Sequence, residues 1–175
     1  KYAYERNVVL IAATGNDNTT QPGYPAAYPE VLAVGASDYN QGIASFSNYG
    51  DYVDVTAPGV NIASTYPGGQ YVSMSGTSMA SPHVAALAAI LKAADPQFTN
   101  KQIMDLIRET ADDLGPSGKD MYFGYGQINV TRALQRAIGA EAAVEAEGST
   151  IREEEQDRKP WFRFLLPFLD RFDRE

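Results

Sequence analysis

The stretch that most constrains this chain is Gly76-Thr77-Ser78-Met79-Ala80-Ser81-Pro82-His83, followed without a break by Val84-Ala85-Ala86-Leu87-Ala88-Ala89-Ile90-Leu91. A glycine-led polar turn runs straight into strong helix formers with few polar groups, which predicts a loop that becomes a buried helix. Pro82 is expected in the first helical turn, where backbone N–H groups lack intrahelical partners anyway. Ser78 then stands at a helix N-terminus. Free N–H groups and the positive end of the helix dipole both favour negative charge developing there. Taken alone, the same serine is an ordinary N-cap.

At 175 residues the chain is long enough for one domain with a true core. A net charge of -8 argues against a nucleic-acid surface, which is normally basic. The chain has no cysteine, which excludes a disulfide framework and a thiolate metal site. No apolar run approaches the roughly 20 residues that span a bilayer as a helix. Lys1 is not an initiator methionine, and Asn7-Val8-Val9-Leu10-Ile11-Ala12-Ala13 already reads as a fully buried strand of a parallel sheet. A central strand so near the start is expected to have partner strands elsewhere. The chain therefore reads as part of a larger domain, with an exposed sheet edge near residues 8–13.

The remaining elements follow from turn signals and periodicity. Thr14-Gly15-Asn16-Asp17-Asn18 ends the first strand, and a proline-rich loop runs to Tyr28-Pro29. Val31–Ala36 and Tyr52–Ala57 read as further strands. Ile62–Thr65 and Tyr71–Met74 read as a hairpin about Pro67-Gly68-Gly69. Thr99 with Gln102 forms a capping-box pattern ahead of a helix through Ile103, Met104, Leu106 and Ile107. A third helix is expected from Val130 to about Ile138. Three regions follow: residues 1–140, a Glu-rich linker or loose helix over 141–160, and an aromatic tail over 161–175. Trp161–Phe172 of the tail reads either as a docking segment for a membrane surface or protein partner, or as packing onto the chain's own surface.

A serine nucleophile needs a general base and donors for the oxyanion. His83 is the single histidine, five positions beyond Ser78. On an α-helix that spacing turns it about 140° away, so His83 reads as a structural residue. A Ser-His-Asp triad cannot be completed within this sequence. Gly76-Thr77-Ser78-Met79-Ala80 loosely matches the elbow of α/β-hydrolases, but that fold needs a well-placed histidine downstream, and His83 does not serve.

The Gly76–Ala85 segment closely resembles the nucleophile motif of subtilisin-like serine peptidases (subtilases). Ala12-Ala13-Thr14-Gly15-Asn16, Tyr24–Pro29, Val31–Ala36, Phe46–Gly50, Asp54–Gly59 and Gly124–Val130 resemble further segments of that family in the same order. The resemblance covers roughly residues 7–138. It implies an α/β fold of three layers, a mostly parallel sheet between helices, present here only in part. It also implies a secreted serine endopeptidase acting on polypeptides through an acyl-enzyme. Ser78 matches the nucleophile and Asn16 the side-chain oxyanion donor, with Thr77 in support. Ala13, Thr14, Gly15 and Gly23 match walls of the pocket for the residue before the scissile bond, and Asp17 falls near its rim. Backbone carbonyls of Ala26, Tyr28 and Val31, with Asp54, match a weak site for Ca²⁺ or a monovalent cation, and no other cofactor is implied. The family's catalytic Asp and His belong to motifs that this sequence does not contain. The resemblance therefore implies an N-terminal portion of the catalytic domain as a partner, without which the chain is expected to be inactive. A competing reading is a non-catalytic fragment that binds a partner or membrane surface through its tail.

Overall fold

Three parallel strands pair in chain order to make the sheet that carries the site: β1 (Ile11–Ala13), β2 (Leu32–Ser37) and β3 (Val55–Pro58). The computed structural model describes residues 1–148, with side-chain surroundings to Gly139. The chain divides after Ile138 into two units. Every residue of β2 is buried, as expected of a parallel strand with neighbours on both edges and cover on both faces. Helix α1 (Thr77–Ala94) packs across all three strands, and α2 (Asn100–Glu109) packs on α1. Leu32, Val34, Val55, Val84, Leu87, Leu91, Ile103 and Ile107 form the centre of one apolar core, joined by Ala133 and Ala137 of α3 (Val130–Gly148).

The first strand is shorter and less buried than its apolar run predicts. Asn7 takes a left-handed turn with φ of 62°, and its side chain is committed elsewhere: Oδ1 accepts the Asn100 N–H at 2.6 Å. β1 also pairs on one side only, so its three residues are half-buried and Val8 is exposed. The strand expected over Tyr52–Ala57 likewise begins later, because a Val53 N–H to Gly50 carbonyl turn occupies its start. The hairpin forms as expected from β4 (Ile62–Tyr66) and β5 (Gln70–Met74). Gly68 and Gly69 supply consecutive positive φ angles at its tip.

Two expectations for α1 need correction. Its alanine-rich run is not buried all round: Val84, Leu87, Ala88 and Leu91 face the core, whereas Ala85, Ala86, Ala89 and Ile90 are exposed. Alanine tolerates either environment, so composition alone cannot assign the face. Pro82 lies inside the helix, not in its first turn, since α1 starts at Thr77. It withholds the N–H that would otherwise bond the Ser78 carbonyl. The α2 capping box is complete: Gln102 N–H donates to Thr99 Oγ1, and Thr99 N–H donates to Gln102 Oε1. Helix α3 extends ten residues past the expected end, so the acidic stretch 141–160 is helical as far as Gly148. The aromatic segment 161–175 lies outside the described residues.

Candidate active site

Ser78 is the second residue of α1 and is exposed, while Gly76 and Thr77 before it are buried. The first-turn N–H groups of a helix have no intrahelical partner. Two of them nevertheless find acceptors: Met79 N–H donates to the Gly76 carbonyl at 2.9 Å, and Thr77 N–H donates to Asn16 Oδ1 at 2.9 Å. Among the described residues the Ser78 N–H meets no acceptor. It is therefore available, beside its own hydroxyl, at the positive end of an 18-residue helix.

Asn16 arrives from the other side, on the loop that leaves β1. Its Oδ1 accepts from both the Thr77 N–H and the Thr77 hydroxyl, each at 2.9 Å. With the oxygen so occupied, the amide orientation follows from the network, and among the described residues Nδ2 has no hydrogen-bond acceptor. A Cβ built on Gly76 would lie 3.5 Å from that Nδ2 and 3.6 Å from Met79 Sδ, so the amide sits against the turn that carries Ser78. Thr77 also accepts from the Gly15 N–H at 3.2 Å, which ties the Asn16 loop to the helix start a second time. The structure thus brings Asn16 to Thr77 and Ser78, which lie 61 and 62 positions further along the sequence.

The residues expected to wall a substrate pocket are continuous with this cluster. Ala13 ends β1 opposite Val34, and Thr14 extends the ladder through its N–H to the Val34 carbonyl. Gly15 has φ of +106°, and a Cβ there would lie 2.4 Å from Asn48 Nδ2. Gly23 packs on the same segment, its would-be Cβ 3.2 Å from the Thr14 carbonyl oxygen. Tyr52 lies beside them with its hydroxyl 3.5 Å from that oxygen. Burial raises the Tyr52 phenol above its ordinary pKa, opposed by a backbone hydrogen bond with Gly23. Asp17 is exposed, and its backbone N–H, not its carboxylate, is the group that the fold uses.

His83 is not beside Ser78 in any catalytic sense. Its Nδ1 lies 2.9 Å from the Met79 carbonyl, which can only accept, so that nitrogen carries the proton and the ring is tied to its own helix.

Asp54, expected beside a cation site, has protein partners for both carboxylate oxygens. Its buried carboxylate is already paired: Oδ1 accepts from Arg108 Nε at 2.9 Å and Oδ2 from the Ala33 N–H at 2.9 Å. Arg108 supplies the positive charge that a metal would otherwise bring. The Tyr28 carbonyl is also in use, accepting the Val31 N–H at 3.0 Å. Among the described residues no cluster of three His, Cys, Asp or Glu side chains is arranged to hold a metal. A hollow of about 440 Å³ beside this loop is lined mostly by apolar groups, including Leu10, Pro25 and Val31, and not by Ser78 or Asn16.

Sequence reading missed the contributions of Asn48 and Arg108. Asn48 lies in a Ser-Asn-Tyr-Gly run that reads only as loop. Its position within a segment shared with the subtilases was the one available signal.

Comparison with known proteins identifies the family. The chain is 44% identical over 157 residues to the minor extracellular protease Epr of Bacillus subtilis (strain 168), a match covering 89% of this chain and 24% of that protein. It is 46% identical over 133 residues to subtilisin BL of Lederbergia lenta, covering 76% of this chain and 48% of that protein. Among solved structures, a lanthipeptide protease superposes with a TM-score of 0.72 at 27% identity, over 77% of this chain and 52% of that one. The chain thus spans about half or less of the length of the relatives that it matches. Residues 1–126 match the family model of the subtilases, peptidase family S8, and the chain belongs to that family.

Proposed function

We propose that this chain supplies the nucleophile and oxyanion hole of a serine endopeptidase. The observation that supports this most directly is the double hydrogen bond from Thr77 to Asn16 Oδ1, which leaves the Asn16 Nδ2 donors beside the Ser78 turn without an acceptor among the described residues. In this reading Ser78 Oγ attacks the carbonyl carbon of a peptide bond, and its proton passes to a general base. The carbonyl oxygen becomes an oxyanion between Asn16 Nδ2 and the Ser78 N–H. Collapse of the tetrahedral species expels the amine and leaves an acyl group on Ser78, which water then removes. Ala13, Thr14, Gly15 and Gly23 would border the side chain before the scissile bond, and their small size leaves room for a large one.

His83 is engaged by its own helix and is the single histidine in the sequence. The base and its orienting carboxylate are therefore assigned to another segment, equivalent to the part of the relatives' catalytic domain outside the match. The exposed β1 edge and the exposed α1 face of Ala85, Ala86, Ala89 and Ile90 are consistent with such a companion. Secretion is proposed from the extracellular relative. Any cation at residues 26–31 would rest on the carbonyls of Ala26, Tyr28 and Val31 without Asp54.

The test is complementation: the chain is mixed with the part of subtilisin BL outside the match, and peptide hydrolysis is followed. Asn16→Ala is expected to lower turnover by about 10²–10³-fold in a complex that still forms. Equal turnover by the variant would remove Asn16 from the oxyanion hole.

A further inference from the structure

Asn48 is almost fully buried, lies in neither a strand nor a helix, and spends its whole side-chain amide on the loop that carries Asn16. Its Oδ1 accepts from the Asp17 N–H at 2.8 Å and more weakly from the Thr19 N–H at 3.4 Å. Its Nδ2 donates to the Thr14 carbonyl at 3.0 Å. The backbone of the same residue adds an N–H to the Gly15 carbonyl at 2.9 Å, and its own carbonyl accepts the Thr14 hydroxyl at 3.3 Å. Asn16 is therefore bracketed: Gly15 before it and Asp17 after it are both held by one residue. Asn16's side chain is held from the opposite side by Thr77.

We propose that Asn48 is a positioning residue for the oxyanion hole, fixing the Asn16 loop so that the Asn16 amide stays registered against Thr77 and the Ser78 turn. The catalytic meaning of this role rests on the serine-peptidase reading, whereas the mechanical coupling does not. The two arms of the amide divide the task. The Oδ1 arm holds the backbone that follows Asn16, on the oxyanion side. The Nδ2 arm holds the Thr14 carbonyl, on the side of the substrate pocket, where Gly23 and Tyr52 also meet that oxygen. Gly15 completes the device. Its absent side chain lets the Asn48 amide lie against the backbone, where a Cβ would approach Nδ2 to 2.4 Å. An oxyanion donor gains its effect by being in place before charge develops. A loop residue can meet that requirement only if its backbone is restrained, and Asn48 supplies that restraint on both sides of Asn16, beside the Gly15 N–H bond to Thr77 and the Asn18 N–H bond to Phe46.

The test uses the full 175-residue chain and amide hydrogen exchange by NMR. The Thr77 N–H is the reporter, since its protection depends on the Asn16 carboxamide more than 60 residues away. In Asn48→Ala, exchange at Asp17 and Thr77 should quicken about tenfold or more, while Val34 and Val55 in the sheet keep their rates. Unchanged protection at Thr77 would overturn the proposal, as would equal acceleration at Val34 and Val55, which marks general loosening. Asn48→Asp separates the arms. It keeps an acceptor for the Asp17 N–H but sets a carboxylate oxygen against the Thr14 carbonyl, so Thr77 protection should hold while the pocket side loosens. Loss at Thr77 in this variant to the same degree as in the alanine variant would contradict the division. Should neither variant fold, the wild-type chain still decides: Asp17 and Thr77 must show the same opening free energy and denaturant dependence, and different values overturn the coupling. In the complemented enzyme, Asn48→Ala should lower turnover and raise KM, since it removes both arms, whereas Asn48→Asp should mainly raise KM. A wild-type complex that hydrolyses nothing would count against the peptidase reading and leave the exchange result standing.

Discussion

The Thr77 hydroxyl and the Thr77 N–H both donate to Asn16 Oδ1, each at 2.9 Å, so one threonine orients the whole carboxamide. The same hydroxyl accepts the Gly15 N–H, so it both donates and accepts in a buried site. Replacing it with a methyl group should therefore be felt twice. Thr77→Val is expected to cost about 1–2 kcal/mol of stability, because the Gly15 N–H loses its acceptor. It should also lower turnover of the complemented enzyme, because Asn16 is less firmly oriented. Thr77→Ser should restore most of both. Urea denaturation and peptide hydrolysis, read side by side, check the pair.

Two glycines with similar positive φ should respond differently to alanine. At Gly15 the added methyl meets Asn48 Nδ2 and the backbone is at φ of +106°, so a loss of more than about 2 kcal/mol is expected. Gly68 at the hairpin tip has φ of +84° with open space around it, so only the conformational cost of about 1 kcal/mol remains. Equal losses in chemical denaturation would show that Asn48 does not crowd Gly15.

Arg108 and Asp54 form a largely buried pair in which the carboxylate also caps the Ala33 N–H. Arg108→Ala should cost about 3 kcal/mol, since it strands a buried carboxylate. If Asp54 were instead a cation ligand, millimolar Ca²⁺ would raise the melting temperature of the wild-type chain and Asp54→Asn would abolish that rise. Asp54's commitment to Arg108 leads us to expect no Asp54-dependent shift.

Tyr52 gives a pH signature. Burial raises its pKa above the model-compound value of 10.0, so the folded state holds the phenolic proton more tightly than the unfolded chain does. The stability from keeping Tyr52 neutral is complete below pH 10 and is lost as pH climbs through the raised folded pKa. Comparing ultraviolet titrations of the wild type and Tyr52→Phe should reveal that Tyr52 ionises above the ordinary phenol range. A Tyr52 titration at the ordinary pKa would contradict its burial against the Thr14 carbonyl.

Much of this architecture could be read from local sequence, for reasons that particular residues make plain. The Ser78 turn, β2, the hairpin and the Thr99–Gln102 box are set by neighbours a few positions apart, where propensity and periodicity speak directly. The first strand misled because seven apolar-rich residues report hydrophobicity, not which edge of a sheet they occupy or that Asn7 is spent on capping α2. The exposed face of α1 was hidden by alanine, which fits both environments. Arg108 and Asn48 were invisible for a third reason. Each acts on a partner 31 or more positions away, and nothing in an isolated Arg or Asn announces its acceptor.

The central claim is that Ser78, set beside the Asn16 amide, is the nucleophile. The most direct measurement is covalent labelling of the complemented protein with a fluorophosphonate, followed by peptide mapping in the mass spectrometer. A single adduct on Ser78, lost in Ser78→Ala and slowed in Asn16→Ala, is the expected result. Peptide hydrolysis that persists in Ser78→Ala, or an adduct mapped to any other residue, would contradict it.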